Sequence, residues 1–282
     1  MRCLRFTAAP LFLLAIWVGA AQADASREVY GPFQEILEQF VTEKDLAGGG
    51  LVSAFDYAAA TDQAKTLQTL ASQREALAKF ELSGLEGKAE SVAFWINTYN
   101  FFMLNQILTE RPDGELVESV WDYGGRVNPF VDNVFEREKF VIDGKEYSLD
   151  QMEKQILLGK DYADRGWKDA RVHFAVNCAA VGCPPLRGSL YTADSLESLL
   201  AENTRRAFLT HYHLKVEGET LYVTELFKWY EDDFKEAAGS RQAFIQEWVD
   251  ASLAERVAQT STMTFIDYDW SLNRPSNFAE FR

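Results

Sequence analysis

The apolar residues in the first third of the chain recur at helical spacing. Between residues 32 and 44 they fall at i, i+3, i+4 and i+7, which predicts an amphipathic helix closed by the glycines at 48–50. A second amphipathic helix is predicted over residues 61–79. Neither segment carries residues typical of a functional site, so we interpret both helices as scaffold.

Residues 90–109 differ, because the helix predicted there is apolar on nearly all sides, which indicates a central buried helix. Asn97 and Asn100 lie on one stripe of this helix. A buried amide needs a hydrogen-bond partner, since an unpaired one costs about 1–3 kcal/mol. The two asparagines either fix neighbouring loops or line a polar cleft, and the pattern leaves both interpretations open.

Strand signals are short and separated by turns. Residues 139–142 and 146–149 flank Asp143-Gly144, a strong hairpin signal, and residues 213–216 and 220–223 predict a second hairpin. The other predicted elements are a strand at 172–176, helices at 192–208, 226–234 and 241–253, and a strand at 264–268. This order predicts an α+β fold, a helix-rich single domain around a small, mostly antiparallel sheet.

Residues 1–23 have the pattern of a signal peptide. Arg2 and Arg5 precede an apolar core at 11–18 that is too short to span a bilayer, and Ala-Gln-Ala at 21–23 matches a cleavage signal. We therefore expect cleavage at this point and a periplasmic or secreted protein. No later segment has the uninterrupted apolar length of a membrane span, so we expect no membrane insertion after cleavage.

The predicted mature chain comprises an N-terminal helical segment at 24–89 and a core at 90–282, packed together as one globular unit. Without Arg2 and Arg5 it keeps 26 of the 28 basic residues against 43 acidic residues, a formal charge of −17. This charge repels phosphate backbones and anionic lipids, so we expect no nucleic-acid partner.

The stretch 171–187 concentrates the residues that could carry chemistry, because it holds Cys178, Cys183, His173 and Asn177. In an exported protein two cysteines at this spacing favour a disulfide. Alternatively one thiol is a nucleophile and His173 its base, with an asparagine as hydrogen-bond donor. Since His173 lies five residues before Cys178 on a predicted strand, that pair meets only if the chain folds back.

Two further interpretations of the cysteine pair remain open. Cys178 and Cys183 could bind Zn²⁺ together with His211 and His213, or with His173 as a substitute ligand. The pair could also cycle between dithiol and disulfide, although its spacing is not the C-x-x-C of common oxidoreductases. The predicted site includes no metal and no cofactor.

Two cations lie near the same candidate residues in sequence. Arg187 and Lys228 could bind a carboxylate or another small anion. Arg187 could equally pair with an acidic residue such as Asp233. The aromatic residues at 229–230 and 268–270 either wall a ligand pocket or pack in the core.

Four segments of the chain together resemble the family called domain of unknown function 547 (DUF547). They are AFWINTYN at 93–100, the cysteine stretch at 171–187, FKWYEDDF at 227–234 and YDWSLN at 268–273. The hairpin segment FVIDGKEYSLDQMEKQIL is similar to the family as well. The resemblance implies a secreted bacterial member, and it supplies neither a substrate nor catalytic residues.

The sequence thus favours a binding or accessory domain whose cleft accepts a small anionic or peptide-like ligand. Its predicted ligand-binding residues are Asn97, Asn100, Asn177, Arg187 and Lys228. The alternative is a cysteine-dependent hydrolase or acyl transferase that uses one of the two cysteines with the histidine of the same stretch. A bridged cysteine cannot attack an acyl group, so the redox state of the pair separates the two functions.

Overall fold

The computed structural model describes residues 28–125 and 132–282, so the predicted signal peptide lies outside the described residues. The α-helices of this part are α1 (Gly31–Phe40), α2 (Tyr57–Thr61), α3 (Ala64–Lys79), α4 (Lys88–Thr109), α5 (Lys160–Asp164), α6 (Leu196–Phe208), α7 (Leu226–Trp229), α8 (Glu231–Ala238), α9 (Arg241–Trp248) and α10 (Ala251–Ala258). Its strands are β1 (Val41–Asp45), β2 (Leu51–Phe55), β3 (Phe140–Ile142), β4 (Lys145–Tyr147), β5 (Leu214–Glu217), β6 (Thr220–Thr224) and β7 (Thr262–Ile266). A π-helix spans Gln151–Leu157.

Helix α4 is the central element, and every residue from Ser91 to Leu108 is buried. It packs against α2, α3, α6 and the π-helix. The buried helix expected at residues 90–109 is therefore confirmed. In the part of the chain that the structure describes, no helix has both the length and the apolar character needed to cross a membrane.

The strands form three small sheets rather than one. β1 pairs with β2, β3 with β4 and β5 with β6, each antiparallel, and β7 adds to β6 in parallel. Both predicted hairpins are present, and Asp143 and Gly144 have φ angles of 50° and 67° at the β3–β4 turn. The α+β class is confirmed.

Two local predictions were wrong. The first helix ends at Phe40, because Val41–Asp45 forms a strand that pairs with β2. Gly48 and Gly49, with φ angles of 90° and 92°, make the turn of that hairpin instead of closing a helix. Residues 172–176 form no strand, since Ala170–Phe174 is a 3₁₀-helix whose first turn is capped by the Asp169 carboxylate.

The apolar side chains form two main cores. The larger core surrounds α4, and the second lies between β5–β7 and helices α6 to α10. Phe174 belongs to the second core, whereas its neighbours Val172 and Ala175 belong to the first. The segment that leads into the cysteine loop therefore runs along the boundary between the two cores.

The buried amide of Asn97 gives a direct test of how α4 fixes its surroundings. Asn97 Nδ2 donates to the Tyr191 carbonyl at 2.7 Å, and the Tyr191 amide donates to Asn97 Oδ1 at 3.0 Å. Asn97→Ala leaves two buried backbone groups without partners, so we expect a loss of about 2 kcal/mol or more in the free energy of unfolding. Urea denaturation measures this loss. Gln39→Ala, which removes an exposed amide, serves as the control and should cost little.

Candidate functional site

A cavity of about 520 Å³ is lined by residues of both cores. This volume falls within the range of small-molecule sites. The lining includes His173 and Cys178 of the cysteine stretch, together with the aromatic residues Trp229, Tyr230, Tyr268 and Trp270. The other residues predicted from sequence to form the site are outside the lining.

Aromatic rings form one part of the wall, with Trp270 at their centre. The Trp270 ring centroid lies 4.6 Å from that of Tyr268, 5.0 Å from Trp121 and 5.6 Å from Trp229. The ring centroid of Phe135 lies 6.4 Å from that of Trp270. Trp229 is 41 % exposed, an unusual state for so large an apolar side chain. This aromatic wall offers planar apolar surface to a ligand.

Carboxylates form the other part of the wall, and they outnumber the cations. Those in the lining are Glu136, Asp150, Glu153 and Glu225, whereas Lys154 and His173 are its basic side chains. Asp150 pairs with Lys154 at 2.8 Å, and Glu225 pairs with Lys228 at 3.0 Å. The cleft as a whole is therefore acidic and aromatic.

His173 is buried between two carboxylates. Its Nε2 lies 2.9 Å from Asp233 Oδ2, and its Nδ1 lies 3.3 Å from Glu153 Oε1. Lys168 Nζ binds the same aspartate at 2.8 Å. The ring of Tyr230 stacks on the imidazole with a centroid separation of 3.9 Å. Both ring nitrogens thus have carboxylate partners in this arrangement, and neither is directed to a cysteine.

The carboxylates decide the charge of this imidazole. Burial lowers the pKa of His173, but the hydrogen bonds to Asp233 and Glu153 outweigh that effect, and the net pKa is raised. For Asp233, burial raises the pKa, and the bonds from His173 and Lys168 more than offset it, so the net pKa is lowered. The two carboxylates therefore favour the protonated imidazole over the neutral one.

The cysteine pair is bridged, because the Sγ atoms of Cys178 and Cys183 lie 2.14 Å apart. Cys178 is partly exposed and lines the cleft, whereas Cys183 is only 6 % exposed. Gly182 allows the close approach of an aromatic ring, since a Cβ there would meet Tyr268 at 2.9 Å. The left-handed residue of the loop is Ala179, with a φ angle of 63°.

The predicted asparagines hold the loop and are absent from the lining of the cleft. Asn100 Nδ2 donates to the Ala175 carbonyl at 3.0 Å, and its Oδ1 accepts from the Asn177 amide at 2.8 Å. Asn177 Nδ2 donates to the Pro184 carbonyl, and its Oδ1 accepts from the Ala179 amide, each at 2.8 Å. The structure thus gives these side chains loop-fixing contacts, as it does Asn97.

The two predicted anion-binding cations are outside the cavity lining. Arg187 is buried and pairs with Glu43 at 3.0 Å and Glu202 at 3.2 Å. The acid suggested for it, Asp233, binds His173 instead. Lys228 is exposed and its partner is Glu225.

The histidines proposed as zinc ligands lie in a turn before β5, one exposed and one buried. His213 Nδ1 and Thr210 Oγ1 share a hydrogen bond of 3.0 Å. Burial lowers the pKa of His213 to about 3. His211 lies at the surface near Glu280. Within residues 28–125 and 132–282, no group of three or more His, Cys, Asp or Glu side chains is arranged to hold a metal ion.

Residues 82–209 match the family model described as "Protein of unknown function, DUF547". The match supports the DUF547 resemblance. It covers α4, the β3–β4 hairpin, the π-helix and the cysteine loop, and it ends before Trp229 and Trp270. No match was found among curated proteins or among solved structures.

Sequence reasoning missed Glu153, although this residue lies inside the segment that matches the DUF547 model. Glu153 is 5 % exposed and contacts His173. The π-helix that carries it is a rare element, frequently found at functional sites. No signal in the sequence pairs Asp233 with His173, because 60 residues separate them.

The raised pKa of His173 predicts how stability depends on pH. Stabilisation by this imidazolium is complete below its unfolded pKa of about 6.5 and is lost as pH rises through the higher folded pKa. As pH rises above about 6.5, His173→Gln should therefore lose less unfolding free energy than the wild type. Urea unfolding over a series of pH values from about 6.5 upward measures the difference.

The control variant and the pH range distinguish the effect of His173 on stability from the effects of the other two histidines. His211→Gln removes an exposed imidazole and should keep the pH dependence of the wild type. His213, whose pKa is lowered, affects stability only below about pH 6.5, where the unfolded chain binds a proton that the folded protein does not. An unchanged slope in His173→Gln would contradict the proposed imidazolium.

Proposed function

We propose that this protein is a ligand-binding domain whose cleft takes a small-molecule or peptide-like ligand through a cationic group. One observation carries the proposal: the aromatic wall around Trp270 and a surplus of carboxylates line the same cavity. Aromatic faces attract cations through the ring quadrupole, and carboxylates add direct charge attraction. The anion expected from sequence is replaced here by a cation, because Arg187 and Lys228 are outside the lining.

The carboxylates remain able to receive a ligand. The pairs that Asp150 and Glu225 make with lysines involve partly exposed side chains, and such pairs contribute little. A ligand cation can therefore displace Lys154 or Lys228 at small cost. Glu136, which is exposed at the rim, supports the first attraction of a cation to the cleft.

Export from the cytoplasm is the second part of the proposal. The pattern of residues 1–23 supports it, and so does the Cys178–Cys183 bridge, because structural disulfides persist in oxidising compartments. A ligand outside the cytoplasm, such as a free amine or a basic peptide, fits the chemistry of the cleft.

Three probes of similar shape and different charge test the cation preference. Phenethylamine should bind and quench tryptophan fluorescence, 2-phenylethanol should bind more weakly, and 3-phenylpropionate should bind least. Trp229→Ala and Glu225→Gln should each weaken phenethylamine binding by roughly tenfold, the size of a partly desolvated cation–aromatic or charge contact. Isothermal titration calorimetry measures the affinities.

Matched controls lie outside the cleft. Glu217→Gln removes a carboxylate that also pairs with a lysine, on β5, and should leave binding unchanged. Lys228→Ala should leave binding unchanged or strengthen it, since it frees Glu225. Tighter binding of 3-phenylpropionate than of phenethylamine would refute the cationic ligand.

A cysteine-dependent hydrolase is the second candidate, and the position of Cys178 in the cleft lining favours it. Its nucleophile would need a free thiol, and its base would need His173 released from Asp233 and Glu153. Alkylation of the purified, exported protein followed by intact-mass measurement separates the two functions. We expect no alkylation before reduction and two alkyl groups after it. The measured mass should be that of a chain that starts at residue 24. One thiol that alkylates without reductant would favour the hydrolase.

A further inference from the structure

The two sulfurs of the bridge have different surroundings. Cys178 is partly exposed and lines the cleft, so a molecule bound there can contact its sulfur. Cys183 is 6 % exposed and faces a separate small space beside His213, away from the cleft. An incoming group in the cleft therefore meets one sulfur of the bridge, that of Cys178.

Two backbone amides donate to Cys183 Sγ, from Cys178 at 3.0 Å and from Ala180 at 3.4 Å. The hydroxyl of Tyr268 lies between the two sulfurs, 3.2 Å from Cys183 Sγ and 3.1 Å from Cys178 Sγ. Neither sulfur of a disulfide carries a proton, so the tyrosine hydroxyl is the donor. Burial raises the pKa of Tyr268, which keeps that hydroxyl protonated.

These donors gain most of their strength when Cys183 becomes negative. A neutral sulfur is a weak acceptor, whereas a thiolate accepts charge-assisted hydrogen bonds. The geometry is the sulfur counterpart of an oxyanion hole, in which fixed donors surround the atom where charge develops. A good leaving group speeds thiol–disulfide exchange, because a stabilised thiolate departs faster.

We propose that the Cys178–Cys183 bridge is an exchange site for thiol-bearing ligands of the cleft. The thiolate of the ligand attacks Cys178 Sγ, and the new S–S bond joins the ligand to Cys178. The old S–S bond breaks at the same time, and its electron pair leaves on Cys183 as a thiolate. Return attack by Cys183 on Cys178 expels the ligand thiolate. A second ligand thiolate that attacks the bound ligand's sulfur instead releases the ligand disulfide and leaves both cysteines reduced.

The surrounding structure holds the donors before any reaction occurs. Asn177 makes hydrogen bonds to the backbone of Ala179 and of Pro184, near the two ends of the loop that the disulfide closes. The close contact of Tyr268 with Gly182 fixes the hydroxyl beside the sulfurs. Because these groups need no rearrangement as charge forms, they stabilise the departing thiolate from the start.

The acidic lining adds a preference among thiols, and this part of the inference rests on the proposed function. A thiol that carries an ammonium group is attracted by the carboxylates of the cleft, and one that carries a carboxylate is repelled. Cysteamine should therefore exchange faster per unit of thiolate than 2-mercaptoethanol, and 3-mercaptopropionate should exchange slowest.

The site of attack is tested on the oxidised full-length protein. Cysteamine is added, exchange is stopped with acid, free thiols are blocked with N-ethylmaleimide, and fragment-ion mass spectrometry locates each adduct. We expect cysteamine on Cys178 and N-ethylmaleimide on Cys183. Cysteamine on Cys183, or a bridge that stays closed in the native protein while the urea-unfolded chain opens, would overturn the proposal.

A second measurement decides the case in which the bridge opens without a trapped adduct. Tyr268→Phe removes one donor to Cys183 and should slow opening by roughly tenfold, the effect of a lost hydrogen bond to a charged group. Tyr222→Phe, on β6 and outside the cleft lining, should open at the wild-type rate. Equal rates in all three proteins would reject the role of the donors.

Failure of exchange can be told apart from failure of ligand binding. Phenethylamine has no thiol, so its binding to the oxidised protein reports the cleft alone. Binding without exchange would reject the exchange site and keep the proposed function. Exchange at Cys178 with equal rates for the three thiols would keep the exchange site and reject the cation preference.

Discussion

The site depends on the burial of α4 from Ser91 to Leu108 and on the hydrogen bonds that such burial demands. Asn97 and Asn100 are polar groups inside the core, and each meets its need by binding main-chain atoms of a loop that packs on the helix. Asn177 continues the same arrangement inside the cysteine loop. Because these buried amides must be hydrogen-bonded, they fix the backbone of the cysteine loop against α4. The disulfide is thereby held in one position beside the cleft.

The cleft combines groups that oppose one another electrostatically. His173 lies between Asp233 and Glu153, and its protonated form offsets the repulsion between these two carboxylates. Glu153 also lines the cleft, so this group of buried charges contributes to the electrostatic field inside the cleft. An aromatic wall next to this field provides contact area that is independent of charge.

Sequence patterns predicted what depends on neighbouring residues. The Asp143-Gly144 turn, the apolar helix at residues 90–109 and the pairing of Cys178 with Cys183 follow from local spacing and chemistry. Contacts that depend on a partner segment were not predictable. The strand at Val41–Asp45 forms because β2 pairs with it. The ring contact between Trp229 and Trp270 depends on the parallel pairing of β7 with β6.

The segment at 268–273 is attached to the cysteine loop by its main chain. The amides of Val181 and Gly182 donate to the carbonyls of Ser271 and Asp269, and the Asn273 amide donates to Ala179. Such attachment does not depend on which side chains the segment carries. Substitution at positions such as Trp270 therefore changes the wall of the cleft, while the main-chain bonds keep the geometry of the bridged loop. The aromatic wall and the bridged loop can thus vary independently in sequence.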